Sequence, residues 1–92
     1  MHQILLIDEL KRIGKNISRL RRLKNMTQGD LCNLAGTDRS YLSEIENGKM
    51  NVTVKSLVLI AVALDCGLED LLVSSGPMSA PVQPRLSPDI EK

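Results

Sequence analysis

The sequence predicts an all-α fold of five short helices, and three observations carry that prediction. Tyr41 is the one aromatic residue among 92, with no Phe and no Trp, so a core must be assembled from Leu, Ile, Val, Ala and Met. Apolar residues recur at steps of three and four, the spacing of a helix stripe, and no stretch alternates with the period of two that a half-buried strand requires. Thr, Asp and Gly stand at the ends of the periodic stretches, where caps and turns belong. With 42% apolar residues the chain supplies one core and one domain, placed at residues 8–74.

The first helix is expected over about residues 8–24, on the stripe Leu6, Leu10, Ile13, Ile17 and Leu20, with Asn25 as its stop. Seven of the twelve basic residues lie between Lys11 and Lys24 with no acid among them, and they occupy its outer face. Thr27 then reads as the N-cap of a second helix, with Asp30 three positions on able to close a capping box. Leu31, Cys32, Leu34 and Ala35 give this helix a short apolar face. Gly36 ends it, because a glycine takes the positive φ that the position after a helix needs.

Asp38 is a good N-cap for a third helix over residues 39–47, with Leu42 and Ile45 facing inward and Asn47-Gly48 closing it. Two helices of about eight residues joined by a tight turn have the geometry of a DNA-reading helix-turn-helix. Thr53 opens a fourth helix in which Val54, Leu57, Val58, Ile60, Ala61 and Leu64 are apolar almost all round, which predicts a buried helix. Leu68, Leu71 and Leu72 make a short fifth. All four prolines fall after Ser74, and residues 75–92 read as a disordered, Pro-rich tail without a periodic apolar face.

Charge distribution says more than the net charge of +1. Residues 1–49 carry nine basic and six acidic groups, whereas 50–92 carry three and five, so the molecule has a basic and an acidic end. One His and scattered acids build no nucleophile–base pair and no paired-carboxylate site, so an enzyme is not expected. Cys32 and Cys66 lack CxxC spacing and His2 is the only histidine, so neither a metal site nor a cofactor is expected. Both cysteines sit in apolar helical patterns and read as buried free thiols. Met-His-Gln-Ile-Leu-Leu-Ile is too short an apolar run for a signal peptide, and no apolar stretch is long enough to span a membrane, so a cytoplasmic, nucleoid-associated protein is expected.

Thr27-Gln28, Leu31-Cys32, Ala35-Gly36, Ser40-Tyr41-Leu42-Ser43, Ile45-Glu46-Asn47-Gly48-Lys49, Leu57, Ile60-Ala61, Ala63-Leu64 and Asp70-Leu71-Leu72 form an ordered series. In it the chain resembles the Xre/Cro-type helix-turn-helix family of phage repressors and bacterial regulators, from about Ile13 to Leu72. Cys32 stands where that family usually has alanine, and Asp65-Cys66-Gly67 replaces its usual turn. The resemblance implies a five-helix, lambda-repressor-like DNA-binding domain.

It also implies that Arg39, Ser40, Ser43 and Glu44 enter the major groove. Arg39 suits the O6 and N7 of guanine, Glu44 the N4 amine of cytosine, and the serines either bases or phosphates. For Arg39 the competing reading is a phosphate contact or a solvated side chain. Gln28, Arg22, Lys24, Tyr41, Asn47 and Lys49 form the expected phosphate-binding set, with core packing beside the turn as the alternative for Tyr41. Arg21 and Glu46 match positions that in this family commonly form an ion pair between the first and third helices. The function expected is a sequence-specific regulator of double-stranded DNA, a repressor acting as a homodimer, with Val62, Leu68 and Val73 as candidate dimer surface. The alternative is an antitoxin or anti-regulator that uses the same fold mainly to bind a protein partner.

Overall fold

Caps decide where the helices begin. The computed structural model describes residues 2–74, with helices α1 (His2–Leu23), α2 (Gln28–Ala35), α3 (Arg39–Glu46), α4 (Val54–Ala63) and α5 (Leu68–Leu72). The Thr27 hydroxyl accepts from Asp30 N at 3.0 Å and the Asp30 carboxylate accepts from Thr27 N at 2.9 Å, a reciprocal capping box at the start of α2. Asp38 accepts from Tyr41 N at 3.2 Å to start α3, and Thr53 from Ser56 N at 3.0 Å to start α4. Hydrogen bonds from Thr27 hold the Asp30 carboxyl below the usual carboxylate range, the backbone N–H contributing most.

Left-handed residues decide where helices end. Asn25, at φ 57°, breaks α1 and lets Met26 N reach back to Arg21 O at 3.1 Å. Gly36, at φ 72°, ends α2, and its N–H and that of Thr37 both bond the carbonyl of Cys32. Asp65 takes the same role after α4, at φ 57°. The tight turn between α2 and α3 is thus Gly36-Thr37-Asp38.

The core is aliphatic. Ile13 and Ile17 of α1 meet Leu31, Cys32 and Ala35 of α2, Leu42 and Ile45 of α3, Leu57, Ile60 and Ala61 of α4, Leu64 beyond it and Leu71 of α5. Each large side chain so buried contributes roughly 1.5–3 kcal/mol. α1 lies against α3 and α5, α4 against α2 and α5, and α2 against α3.

Four expectations change. α1 starts at His2 rather than near Asp8, because no proline or glycine interrupts residues 2–7; Leu6 lies on its stripe but past the reach of the other helices, and stays half exposed. Leu34 is 66% exposed, since it sits about 100° round α2 from the face made by Leu31, Cys32 and Ala35. α4 is buried on one side only: Leu57, Ile60 and Ala61 face α2 and α5, whereas Val54, Val58, Leu59 and Val62 are exposed. Cys66 is half-buried rather than fully so, and its desolvation pushes the thiol pKa up. The tail expected at 75–92 lies outside the described residues.

Two features fix α1 in place, one polar and one steric. Asn16 is fully buried and its amide donates to Leu71 O and Val73 O, both at 2.9 Å, so it closes the carbonyl end of α5. Gly14 lies against the last turn of α3, where a Cβ would collide with the carbonyl of Ile45 and stand 2.6 Å from that of Glu46. A side chain there would push the two helices apart.

Candidate nucleic-acid interface

The interface is built around one buried ion pair. Arg21 Nε lies 2.7 Å from Glu46 Oε2 and Arg21 Nη2 lies 3.0 Å from Glu46 Oε1, a fork-to-fork pair whose side chains are over nine-tenths buried. The third arm of the guanidinium donates to Met26 O at 2.9 Å. Glu46 holds the Arg21 guanidinium even further into its charged form, against the opposing pull of burial. Gln28 joins the network, its Nε2 donating to Glu46 Oε1 at 3.1 Å. One carboxylate on α3 thereby ties together the end of α1, the α1–α2 turn and the first turn of α2.

With that carboxylate fixed, α3 is held by its inner face and presents its outer one. Leu42 and Ile45 sit in the core, while Arg39, Ser40 and Glu44 are exposed and Ser43 is half-buried. Arg39, Ser40, Ser43 and Glu44 line one open groove, and Gln28 forms its wall on the α2 side. These five side chains offer a guanidinium, two hydroxyls, an amide and a carboxylate, enough to donate to and accept from base edges and phosphates.

The remaining residues divide. Arg22 and Lys24 are exposed at the end of α1, and Asn47 and Lys49 are exposed just past α3, where the Asn47 side chain donates to Ser43 O at 2.9 Å. Tyr41 is half-buried, and its hydroxyl pairs with the Ser56 hydroxyl at 3.1 Å. That pair joins α3 to the start of α4 and turns the phenol away from the groove of Arg39. Sequence reasoning did not place Gln28 on Glu46, Tyr41 on Ser56, Asn16 on α5 or Gly14 against α3. Only the last two left a signal: a polar residue inside the apolar stripe and a glycine inside a helix.

Among the described residues no group of His, Cys, Asp and Glu is arranged to hold a metal ion, and no helix is long and apolar enough to cross a membrane. The fold and groove define a helix-turn-helix domain whose third helix keeps its outer face open. A family model described as helix-turn-helix matches residues 17–71. The chain belongs to that family, and is a DNA-binding transcription regulator.

Control protein C.SmaI of Serratia marcescens is 29% identical over 73 residues, spanning 79% of this chain and 87% of that protein. The crystal structure of the restriction-modification controller protein C.AhdI from Aeromonas hydrophila superposes with a TM-score of 0.68 at 34% identity, covering 70% of this chain and 97% of that one. The controller protein C.Esp1396I, solved as a tetramer with its natural 35 base-pair operator, superposes with a TM-score of 0.61 at 33% identity, covering 70% of this chain and 95% of that one.

Proposed function

We propose that this chain is a sequence-specific repressor that binds an operator as a homodimer and reads bases through Arg39, Ser40, Ser43 and Glu44. The observation that carries the reading is the groove in which those four side chains stand together beside Gln28, on a helix whose other face is locked in the core. Arg39 supplies the bidentate donor for guanine, the serines adapt to base or phosphate, and Glu44 accepts from cytosine. Gln28 keeps a second amide N–H for a phosphate while its first is held by Glu46. Arg22, Lys24, Asn47 and Lys49 clamp the strands on either side. Tyr41 acts through α3, since its hydroxyl is engaged by Ser56.

A single domain of this size covers about half of a useful site, so affinity comes from two copies on half-sites about 34 Å apart. The exposed apolar side of α4, with Leu72 of α5 and Val73 just beyond it, is the surface on which they pair; Val62, 71% exposed, stands in it, whereas Leu68 packs against the core. Likeness to a controller protein solved as an oligomer on its operator supports this assembly. Repression follows from occupancy, because the described residues form the DNA-binding domain and a promoter covered by it is closed to others.

The test is selection of bound duplexes from a random pool, followed by titration of Arg39→Ala. The selected sites are expected to be palindromic, and Arg39→Ala to weaken the cognate site by about 1–3 kcal/mol while relaxing one base position. Unchanged specific binding by Arg39→Ala would overturn the reading and move the function to a protein partner.

A further inference from the structure

A second groove lies on the other side of Glu46 from the first. Lys15, Ser18, Arg19, Arg22 and Leu23 of α1 form it, with Glu46 as the edge nearest α3. Lys15, Arg19 and Arg22 stand at i, i+4 and i+7, one above the other on a single helix face. All three are exposed, and among the described residues the ion pairs are Arg12 with Glu9 and Arg21 with Glu46, so none of the three has an acidic partner. Among the described residues the one carboxylate at the groove is Glu46, whose charge is neutralised by Arg21 and which also accepts a hydrogen bond from Gln28. Three like charges therefore line a concave surface, and no acid among the described residues is paired with them.

We propose that this α1 groove is a track for the phosphate backbone of the same duplex, extending the footprint of each protomer beyond the base pairs that α3 reads. The proposal rests on the reading of α3 as the helix in the major groove. Two observations select a duplex as occupant. The first is continuity: Glu46 edges this groove and bonds Gln28, which walls the other, so the two surfaces adjoin across one buried network.

The second is dimensional. Gly14 lets α1 pack directly on α3, and helices in such contact lie about 8–10 Å apart, comparable with the roughly 12 Å width of the major groove whose strand wall α1 would then meet. Lys15 to Arg22 spans about 10 Å along the helix, the axial length of about three phosphates on one strand. Lys15 and Arg19 are thus the cations that this track adds to Arg22.

The experiment compares the wild type with the double variant Lys15→Gln, Arg19→Gln on the selected half-site. One duplex is limited to roughly 10 base pairs, and the other carries about one further helical turn of arbitrary sequence. Because Arg19 also donates to Asn16 at 3.3 Å, a charge-keeping Arg19→Lys variant and a thermal melt accompany it. The two proteins are expected to bind the short duplex alike. On the long duplex only the wild type and Arg19→Lys gain affinity, and between about 50 and about 200 mM salt the wild type loses roughly tenfold more than the double variant, the signature of two extra phosphate contacts.

Equal gains by both proteins on the long duplex would overturn the track while leaving base reading by α3 intact. Failure of the wild type to prefer the selected sequence on either duplex would overturn both. Binding of poly-glutamate that requires Lys15 and Arg19, without any effect of duplex length, would assign the groove to an acidic protein and likewise overturn it.

Discussion

Glu46, in the last turn of α3, grips the guanidinium of Arg21 on α1 with both carboxylate oxygens, at 2.7 and 3.0 Å, with both side chains largely buried. The pair ties the end of α3 to α1. It also forms the partition between the groove of Arg39 and the basic groove of α1.

Removing one partner leaves the other charge buried. Glu46→Ala is expected to lower unfolding free energy by about 3 kcal/mol, because Arg21 would keep its positive charge with only the Met26 carbonyl as partner. Chemical denaturation of Glu46→Ala and of the Arg21→Met, Glu46→Leu double variant checks this. The double variant should recover most of the loss if the cost lies in the orphaned charge.

Gly14→Ala should destabilise even though alanine is the better helix former by about 1 kcal/mol. The new methyl meets the carbonyls of Ile45 and Glu46, which are backbone and do not yield. A net loss of about 1–3 kcal/mol, read as a drop in melting temperature, is expected.

Asn16→Leu fills the same space but leaves the carbonyls of Leu71 and Val73 without their donor. The expected cost is about 1–3 kcal/mol. Hydrogen exchange should rise first in α5, whose end Asn16 holds, ahead of α2 and α3.

Val62→Glu should leave the monomer as stable as the wild type, since the residue faces away from the core. Sedimentation is expected to show loss of the dimer, and affinity for the two-half-site operator should fall while that for a single half-site persists.

The capping box gives a pH dependence with a definite sign. Hydrogen bonds from Thr27 depress the Asp30 pKa in the folded state, so Asp30 adds stability above the ordinary aspartate value of about 3.9 and loses it as pH falls through its lowered folded value. Asp30→Asn should therefore flatten the stability profile in that acid window. Unfolding curves from pH 6 downward would reveal it, and parallel profiles for the two proteins would contradict it.

Local chemistry made much of this protein legible. Thr27 with Asp30, Gly36, Asp38 and Thr53 are signals that act within three or four residues, so helix starts and the α2–α3 turn are written into the sequence. Leu42 and Ile45 likewise fix which face of α3 is buried and hence which residues remain exposed.

The structure alone decided what depends on which helix lies beside which. A largely apolar α4 looks wholly buried until its main packing is found to be against α2 and α5, which leaves Val58 and Val62 exposed. Asn16 and Gly14 acquire their meaning from backbone carbonyls that are distant in sequence, 55 residues away in the case of Asn16 and Leu71. A run of basic residues on α1 looks like a solvated face until Glu46 closes one side of it into a groove. Caps and turns are short-range and are encoded where they act, whereas burial and groove shape are properties of pairs of surfaces, and no single stretch of chain contains both.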